Sequence, residues 1–288
     1  MSLKDLPLIV IAGPTASGKS NMAIELAEQY GGEIICADSR TIYEHMDIGT
    51  AKPSREDQVR VPHWGLDIVQ PDETFSVADF KKYAVQKIDE IRTRGHVPFL
   101  VGGTGLYVDG VVFDYQFGPA ADLEKRAELE HMSVDDLYNY CIQNNITLPE
   151  NEKNKRYLIR AIERKNTSST RLMTPINNCI IVGITTEKND LRARIAKRSE
   201  QLFDDGVVEE AKMLGEKYGW ETQSMTGNIY RLAHAFLNNE ITQQEFKLRN
   251  ETADWQLAKR QLTWLKRNQF ITWLQLDEVK KYIARVLV

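Results

Sequence analysis

The sequence predicts an α/β fold: a parallel, P-loop NTPase-like sheet flanked by helices, with a small helical insertion domain. Three observations carry that prediction. Apolar runs rich in β-branched residues alternate with segments of helical period. The first run breaks into glycine and ends in Lys19-Ser20. The alternation then lapses once, over residues 113–175, where the pattern is helical without an intervening strand.

Residues 8–12, 33–37, 97–101 and 179–185 read as buried parallel strands, and 270–276 as a fifth. Helical period runs through 21–30, 77–94, 190–218 and 242–267, with Ser76 placed to cap the second of these and Asp79 to complete a capping box. Within the insertion, "FGPAADLEKRAELE", "SVDDLYNYCIQNN" and "NKRYLIRAIER" read as helices, and "NTSSTRLMTPINN" as the loop returning to the sheet. The organisation is therefore a core over 1–112 and 176–288, interrupted by an insertion over 113–175. In such folds ligands sit at the carboxyl ends of the strands.

With 288 residues, 42% hydrophobic and 27% charged, the chain has ordinary globular composition. No apolar run approaches the roughly 20 residues that cross a bilayer, and no signal-peptide pattern opens the chain, so a cytoplasmic location away from membranes is expected. Cys36, Cys141 and Cys179 are odd in number and far apart, which indicates neither a disulfide framework nor a zinc ribbon. The five histidines show no metal-ligand spacing. A net charge of -4 argues against indiscriminate nucleic-acid binding. Locally, residues 151–171 carry seven basic residues against Glu152 and Glu163. That run is either a phosphate-tracking face or a solvated helix surface.

Gly13-Pro14-Thr15-Ala16-Ser17-Gly18-Lys19-Ser20 fits G-x-x-x-x-G-K-[ST] between a strand and a helix. The glycines let backbone N–H groups and the helix N-terminus face a diphosphate, Lys19 supplies a point charge, and the Ser20 hydroxyl suits Mg²⁺. NTP-hydrolysing P-loop proteins end another strand in a Mg²⁺-binding Asp. Here the strand at 97–101 runs instead into Gly102-Gly103-Thr104-Gly105. Asp38, after the second strand, is the acid nearest the expected site. It can hold Mg²⁺ through water, accept a proton, or merely cap a turn.

"GPTASGKS", "DSRTIYEHMDIGTAKP", "VPHWGLDI", "VGGTGLY", "NKRYLIRAIE" and "QLAKRQLTW" occur in an order that resembles the tRNA dimethylallyltransferases over nearly the whole chain. The resemblance implies that the P-loop and Arg260 hold the diphosphate of dimethylallyl diphosphate, with Mg²⁺ at Ser20. It implies transfer of the dimethylallyl group to N6 of an adenine beside the anticodon of tRNA. Thr15 and Lys19 would stabilise the leaving diphosphate, and Asp38 would accept the amine proton. Asp38, Ser39, Arg40, Thr41, Thr104 and Arg126 would contact the anticodon stem-loop, and Arg156 and Arg160 would follow its backbone. A monomer is expected.

Four positions depart from the family pattern: Thr41 replaces Gln, Trp64 replaces a second His, Asn228–Tyr230 replaces Ile-Gly-Tyr, and Asp254-Trp255 replaces Thr-Arg. The last exchange removes a full charge from the leaving-group side, unless Lys259 or Arg260 supplies it. Alternatives from the sequence are a weakly active tRNA-binding paralogue, an isopentenyltransferase acting on free adenine nucleotides, and an ATP-dependent small-molecule kinase.

Overall fold

The computed structural model describes residues 6–118, 122–165 and 170–287. They form two compact units, 1–113 with 174–288, and 114–173.

The first unit is built on β1 (Leu8–Ala12), whose side chains are completely buried. It is followed by α1 (Lys19–Tyr30), β2 (Gly32–Cys36), α2 (Arg55–Arg60), β3 (His63–Trp64), α3 (Val77–Thr93), β4 (Val97–Gly102) and α4 (Gly105–Val112). The second unit holds α5 (Leu123–His131), α6 (Val134–Gln143) and α7 (Lys155–Arg164). The chain then returns through β5 (Cys179–Ile184), α8 (Lys188–Asp204), α9 (Val207–Tyr218), α10 (Asn228–Leu237), α11 (Gln243–Leu265), β6 (Thr272–Leu274) and α12 (Leu276–Leu287).

The six strands are all parallel, in the order β3-β2-β4-β1-β5-β6. The connection from β1 runs to β2 on one side and that from β4 runs to β5 on the other, so the carboxyl ends of the neighbouring strands β1 and β4 lie at the switch in strand order, where the P-loop begins. Ile9 and Ile11 of β1, Ile34 of β2 and Phe99 of β4 pack against Ala23, Leu26 and Ala27 of α1 and Val279 and Ile283 of α12. Continuous apolar strands are what burial on both faces demands.

Ser76 accepts from Asp79 N–H while Asp79 accepts from Ser76 N–H, closing the expected capping box at α3. Thr242 and Glu245 do the same for α11.

Three readings of the sequence change. The helical period over 190–218 belongs to two helices, α8 and α9, because Gly206 adopts φ +97° between them. The last strand shrinks to three residues: Asn268 Oδ1 accepts from Phe270 N–H in a turn, and α12 begins at Leu276. Helices α2, α4, α10 and α12 and the sixth strand, β3, also go beyond the segments read from the sequence.

In the second unit, Leu129, Leu137, Cys141, Leu158, Ile159 and Ile162 join α5, α6 and α7 in one small core. Gln116 and Thr170 form an isolated antiparallel bridge. Residues 119–121 of the first helical pattern and 166–169 of the return loop lie outside the described residues.

Trp64 turns its indole N–H onto Glu33 Oε2 at 2.6 Å. Burial raises the Glu33 pKa, but bonds from Arg94, His96 and Trp64 outweigh it and hold the carboxyl at about 2. The stabilisation from this carboxylate is therefore present above its ordinary pKa and lost only as pH falls through about 2.

Candidate active site

The P-loop leaves β1 and enters α1 through two left-handed residues, Ala16 (φ 60°) and Gly18 (φ 89°). Gly18 caps α1 without a side-chain bond, and no acid occupies the first helical turn, so the positive end of the helix stays open to an anion. Ser17 is fully buried, and its Oγ has no hydrogen-bond partner among the described residues. Lys19 Nζ donates to Pro14 O at 3.2 Å, folding the side chain back along the loop. Burial lowers the Lys19 pKa to about 8; Asp38 opposes that shift and Arg198 adds to it.

Three further segments converge on this loop. Asp38 follows β2, with its Oδ1 accepting from Arg40 N–H at 2.9 Å in an Asx turn. Oδ2 has no protein hydrogen bond among the described residues. Thr104, at the start of α4, accepts from Ser39 N–H at 3.1 Å and ties the Asp38 turn to the second glycine loop. That loop must be glycine: a Cβ on Gly102 would collide with Ala37 O, and one on Gly103 with the Gln261 amide. From α11, Gln261 Oε1 accepts from Thr15 N–H at 2.8 Å.

Thr15, Lys19, Ser20, Asp38, Ser39, Arg40, Thr41, Thr104 and Arg260 all line one cavity of about 400 Å³. Ala16, Ser17 and Gly18 line a second cavity of about 660 Å³, which shares Lys19 and Ser20 with the first. Gly13 and Pro14 line neither; they shape the turn, and a Cβ on Gly13 would meet Ser17 Oγ at 2.9 Å. Arg40 is tied down inside the fold, donating to Gln223 O, Ser224 O and Thr226 Oγ1 at 2.9–3.2 Å.

The remaining three residues belong to the second unit. Arg126 and Arg160 both pair with the buried Glu163 carboxylate, at 2.9 and 3.0 Å, whereas Arg156 is exposed. Two of the three basic side chains thus share an internal counter-ion, which a count of charges along the sequence does not reveal.

Helix α8 contributes cations that the sequence pattern did not single out. Arg198 Nη1 donates to Thr15 Oγ1 at 2.8 Å, and Arg194 Nη1 donates to Ser17 O at 3.2 Å. Trp255 lines neither cavity. It packs with Leu191, Ile195, Ala258 and Ala16, and the Arg192 guanidinium lies 4.6 Å from its ring centre. Asp254 does line the first cavity, 4.0 Å from Arg198 Nε, and burial raises its pKa. Lys259 is exposed and lines neither cavity, whereas Arg198 and Arg260 both line the first.

No cluster of three His, Cys, Asp or Glu side chains suited to a metal ion occurs among the described residues. No described helix is long and apolar enough to cross a membrane.

A family model described as IPP transferase matches residues 41–268, and one described as isopentenyl transferase matches 6–61. The tRNA dimethylallyltransferase of Anoxybacillus flavithermus is 36% identical, with 97% of this chain and 93% of that protein covered. That of Acetivibrio thermocellus is 38% identical, covering 94% and 92%. The crystal structure of the full-length tRNA isopentenylpyrophosphate transferase from Bacillus halodurans matches with a TM-score of 0.74 at 35% identity, covering 98% of this chain and 96% of that one. Matched along nearly its full length, with its P-loop, Asp38 turn and α11 glutamine meeting at one cavity, the chain belongs to the IPP transferase family.

Proposed function

We propose that this protein transfers a dimethylallyl group from dimethylallyl diphosphate to N6 of an adenine next to the anticodon of a tRNA. One observation carries the reading: a carboxylate, Asp38, and a P-loop cation, Lys19, line the same cavity. In the transfer, the bond from C1 of the donor to its diphosphate oxygen breaks and a bond from N6 to C1 forms. The amine proton passes to Asp38, and the diphosphate leaves with the bond's electron pair. Lys19, Arg198 and the open N-terminus of α1 stabilise the charge that accumulates on the leaving group. Thr15 takes part as a hydroxyl polarised by Arg198, free to donate its own hydrogen to the diphosphate. The adenine must leave its stack to reach Asp38.

Ser20 is exposed on the cavity that Asp38 also lines, and a hydroxyl beside a carboxylate facing the P-loop is a donor set that fits Mg²⁺. Ser20 would ligate it, and the ion would neutralise the departing charge. A tRNA substrate supports the expected cytoplasmic location.

The test is incubation with dimethylallyl diphosphate, Mg²⁺ and unmodified tRNA, followed by nucleoside mass spectrometry. Prenylated adenosine in the tRNA is expected. Turnover of AMP without tRNA, or release of ADP from ATP, would overturn the reading in favour of a nucleotide prenyltransferase or a kinase.

Affinity for tRNA should fall as salt rises, and Arg156→Ala should flatten the log–log slope by about 0.7–0.9, the loss of one phosphate contact. Arg160→Ala should flatten it less, because Glu163 already balances that guanidinium. Equal slopes in the wild type and Arg156→Ala would return Arg156 to the role of a solvated surface residue.

Trp255→Arg should leave donor affinity nearly unchanged while costing about 1–2 kcal/mol of stability, as aromatic packing is lost beside Arg192. Donor titration and thermal unfolding check this. Tighter donor binding in the variant would show that position 255 does reach the diphosphate.

A further inference from the structure

Glu210, on α9, is a buried carboxylate that takes no part in the bond exchange described above. Its Oε2 accepts from the N–H groups of Asp47 and Ile48 at 2.8 and 2.7 Å. Its Oε1 accepts from Gly49 N–H and from the Tyr230 hydroxyl, both at 2.9 Å. Four donors on one carboxylate saturate its hydrogen-bonding capacity. The loop fits the tyrosine without slack, since a Cβ on Gly49 would lie 2.7 Å from the Tyr230 oxygen. Three residues on, Lys52 is tied to Tyr43 O at 2.7 Å and to the carboxylates of Asp47 and Asp67. The segment from Asp47 to Lys52 is therefore fixed at both ends.

The position of this segment gives the anchoring its meaning. Ala51 and Pro53 line both cavities, as do Lys19, Ser20, Arg198 and Leu202. The segment is thus part of the wall where the space over the P-loop meets the space over Asp38. If the proposed function holds, the reacting carbon sits at that junction, bonded to the diphosphate on one side and attacked by the amine from the other. An allylic carbon losing its leaving group reacts with any nucleophile in reach, and water is the commonest one.

We propose that Glu210 is a positioning residue that sets the balance between transfer and hydrolysis. By pinning the N–H groups of residues 47–49, it keeps the wall closed around the reacting carbon and excludes water. In the competing step the C1–O bond to the diphosphate breaks, a water oxygen bonds to C1 and gives its proton to solvent, and dimethylallyl alcohol and diphosphate leave.

Glu210→Gln preserves volume but removes the charge and turns an NH₂ group towards backbone donors. Tyr230→Phe keeps the ring and the three backbone bonds and removes only the hydroxyl. With the full chain, tRNA and isotopically labelled dimethylallyl diphosphate, prenylated adenosine and dimethylallyl alcohol are measured in the same reaction. In Glu210→Gln, transfer should fall about tenfold or more, as expected for a displaced site wall, and the ratio of alcohol to transfer product should rise several-fold. Tyr230→Phe should raise that ratio by a smaller factor, and it carries the test by the same criterion if Glu210→Gln does not fold. A ratio unchanged from the wild type, at whatever rate, overturns the proposal, because damage that only slows the enzyme slows both products together. A wild type that makes no prenylated adenosine overturns the functional reading itself, an outcome distinct from an active wild type whose variants keep its ratio.

Discussion

Asp38→Asn should lower the single-turnover rate of prenyl transfer by about 10²–10⁴-fold, the usual contribution of a positioned acid or base, with tRNA affinity little changed. The substitution is well suited to the question. Asparagine retains the Oδ1 that accepts from Arg40 N–H at 2.9 Å, so the turn after β2 survives. Only the capacity to take up the amine proton is lost. A carboxylate is a weak base towards a ground-state aromatic amine, so proton transfer accompanies formation of the N–C bond, as the nitrogen acidifies. Rapid-quench measurements with saturating donor and tRNA isolate this step. A near-normal rate in the Asn variant would reduce Asp38 to a turn cap.

Lys19→Ala should lower turnover by about 10²–10³-fold, as does loss of a comparable donor facing developing negative charge. Its effect on tRNA affinity should be small. The same lysine also predicts a pH signature. Burial holds its pKa at about 8, with Asp38 opposing and Arg198 reinforcing the shift. The diphosphate binds the protonated form, so donor affinity should be full below that value and decline as pH rises through about 8. Equilibrium donor titrations on either side of pH 8 should show the decline in the wild type and a weak, flat profile in Lys19→Ala. Unchanged turnover with weakened tRNA binding in the variant would remove Lys19 from the leaving-group side.

The P-loop, the Asp38 turn and the second glycine loop are legible in the sequence because each is local. In each, an apolar run ends abruptly in residues with restricted chemistry, and strand-turn geometry follows within a few residues. Helix α8 shows where that legibility stops. Its pattern of Leu191, Ile195 and Leu202 marks the buried face, but Arg194 and Arg198 look like any charged residues on a solvated helix. Only the packing of α8 beside α11 aims them at Ser17 and Thr15. Glu210 is the same case: nothing in the pattern of α9 names its partners, yet it is buried against a loop more than 150 residues earlier in the chain.

Trp255 shows how a motif alignment misleads when side-chain direction is unknown. Its place in the motif predicts a face towards the diphosphate, but its helical position turns it onto Leu191 and Ile195, and the charge at the P-loop comes from a different helix. Arg126 and Arg160 read as RNA contacts by resemblance, and folding gives both a carboxylate partner, Glu163, that the motifs do not reveal.

The sequence by itself determined the parallel sheet, the glycine-rich loop after its first strand, the acid that lines the same cavity and the family resemblance, because these depend on periodicity and on short motifs whose geometry is fixed by neighbouring residues. The tertiary structure decided which cations serve the P-loop, which carboxylate anchors the wall between the cavities and which arginines are already paired. Those are contacts between residues far apart in the chain, set by how helices pack on the sheet, and charge or amphipathic pattern along one helix does not specify its partner.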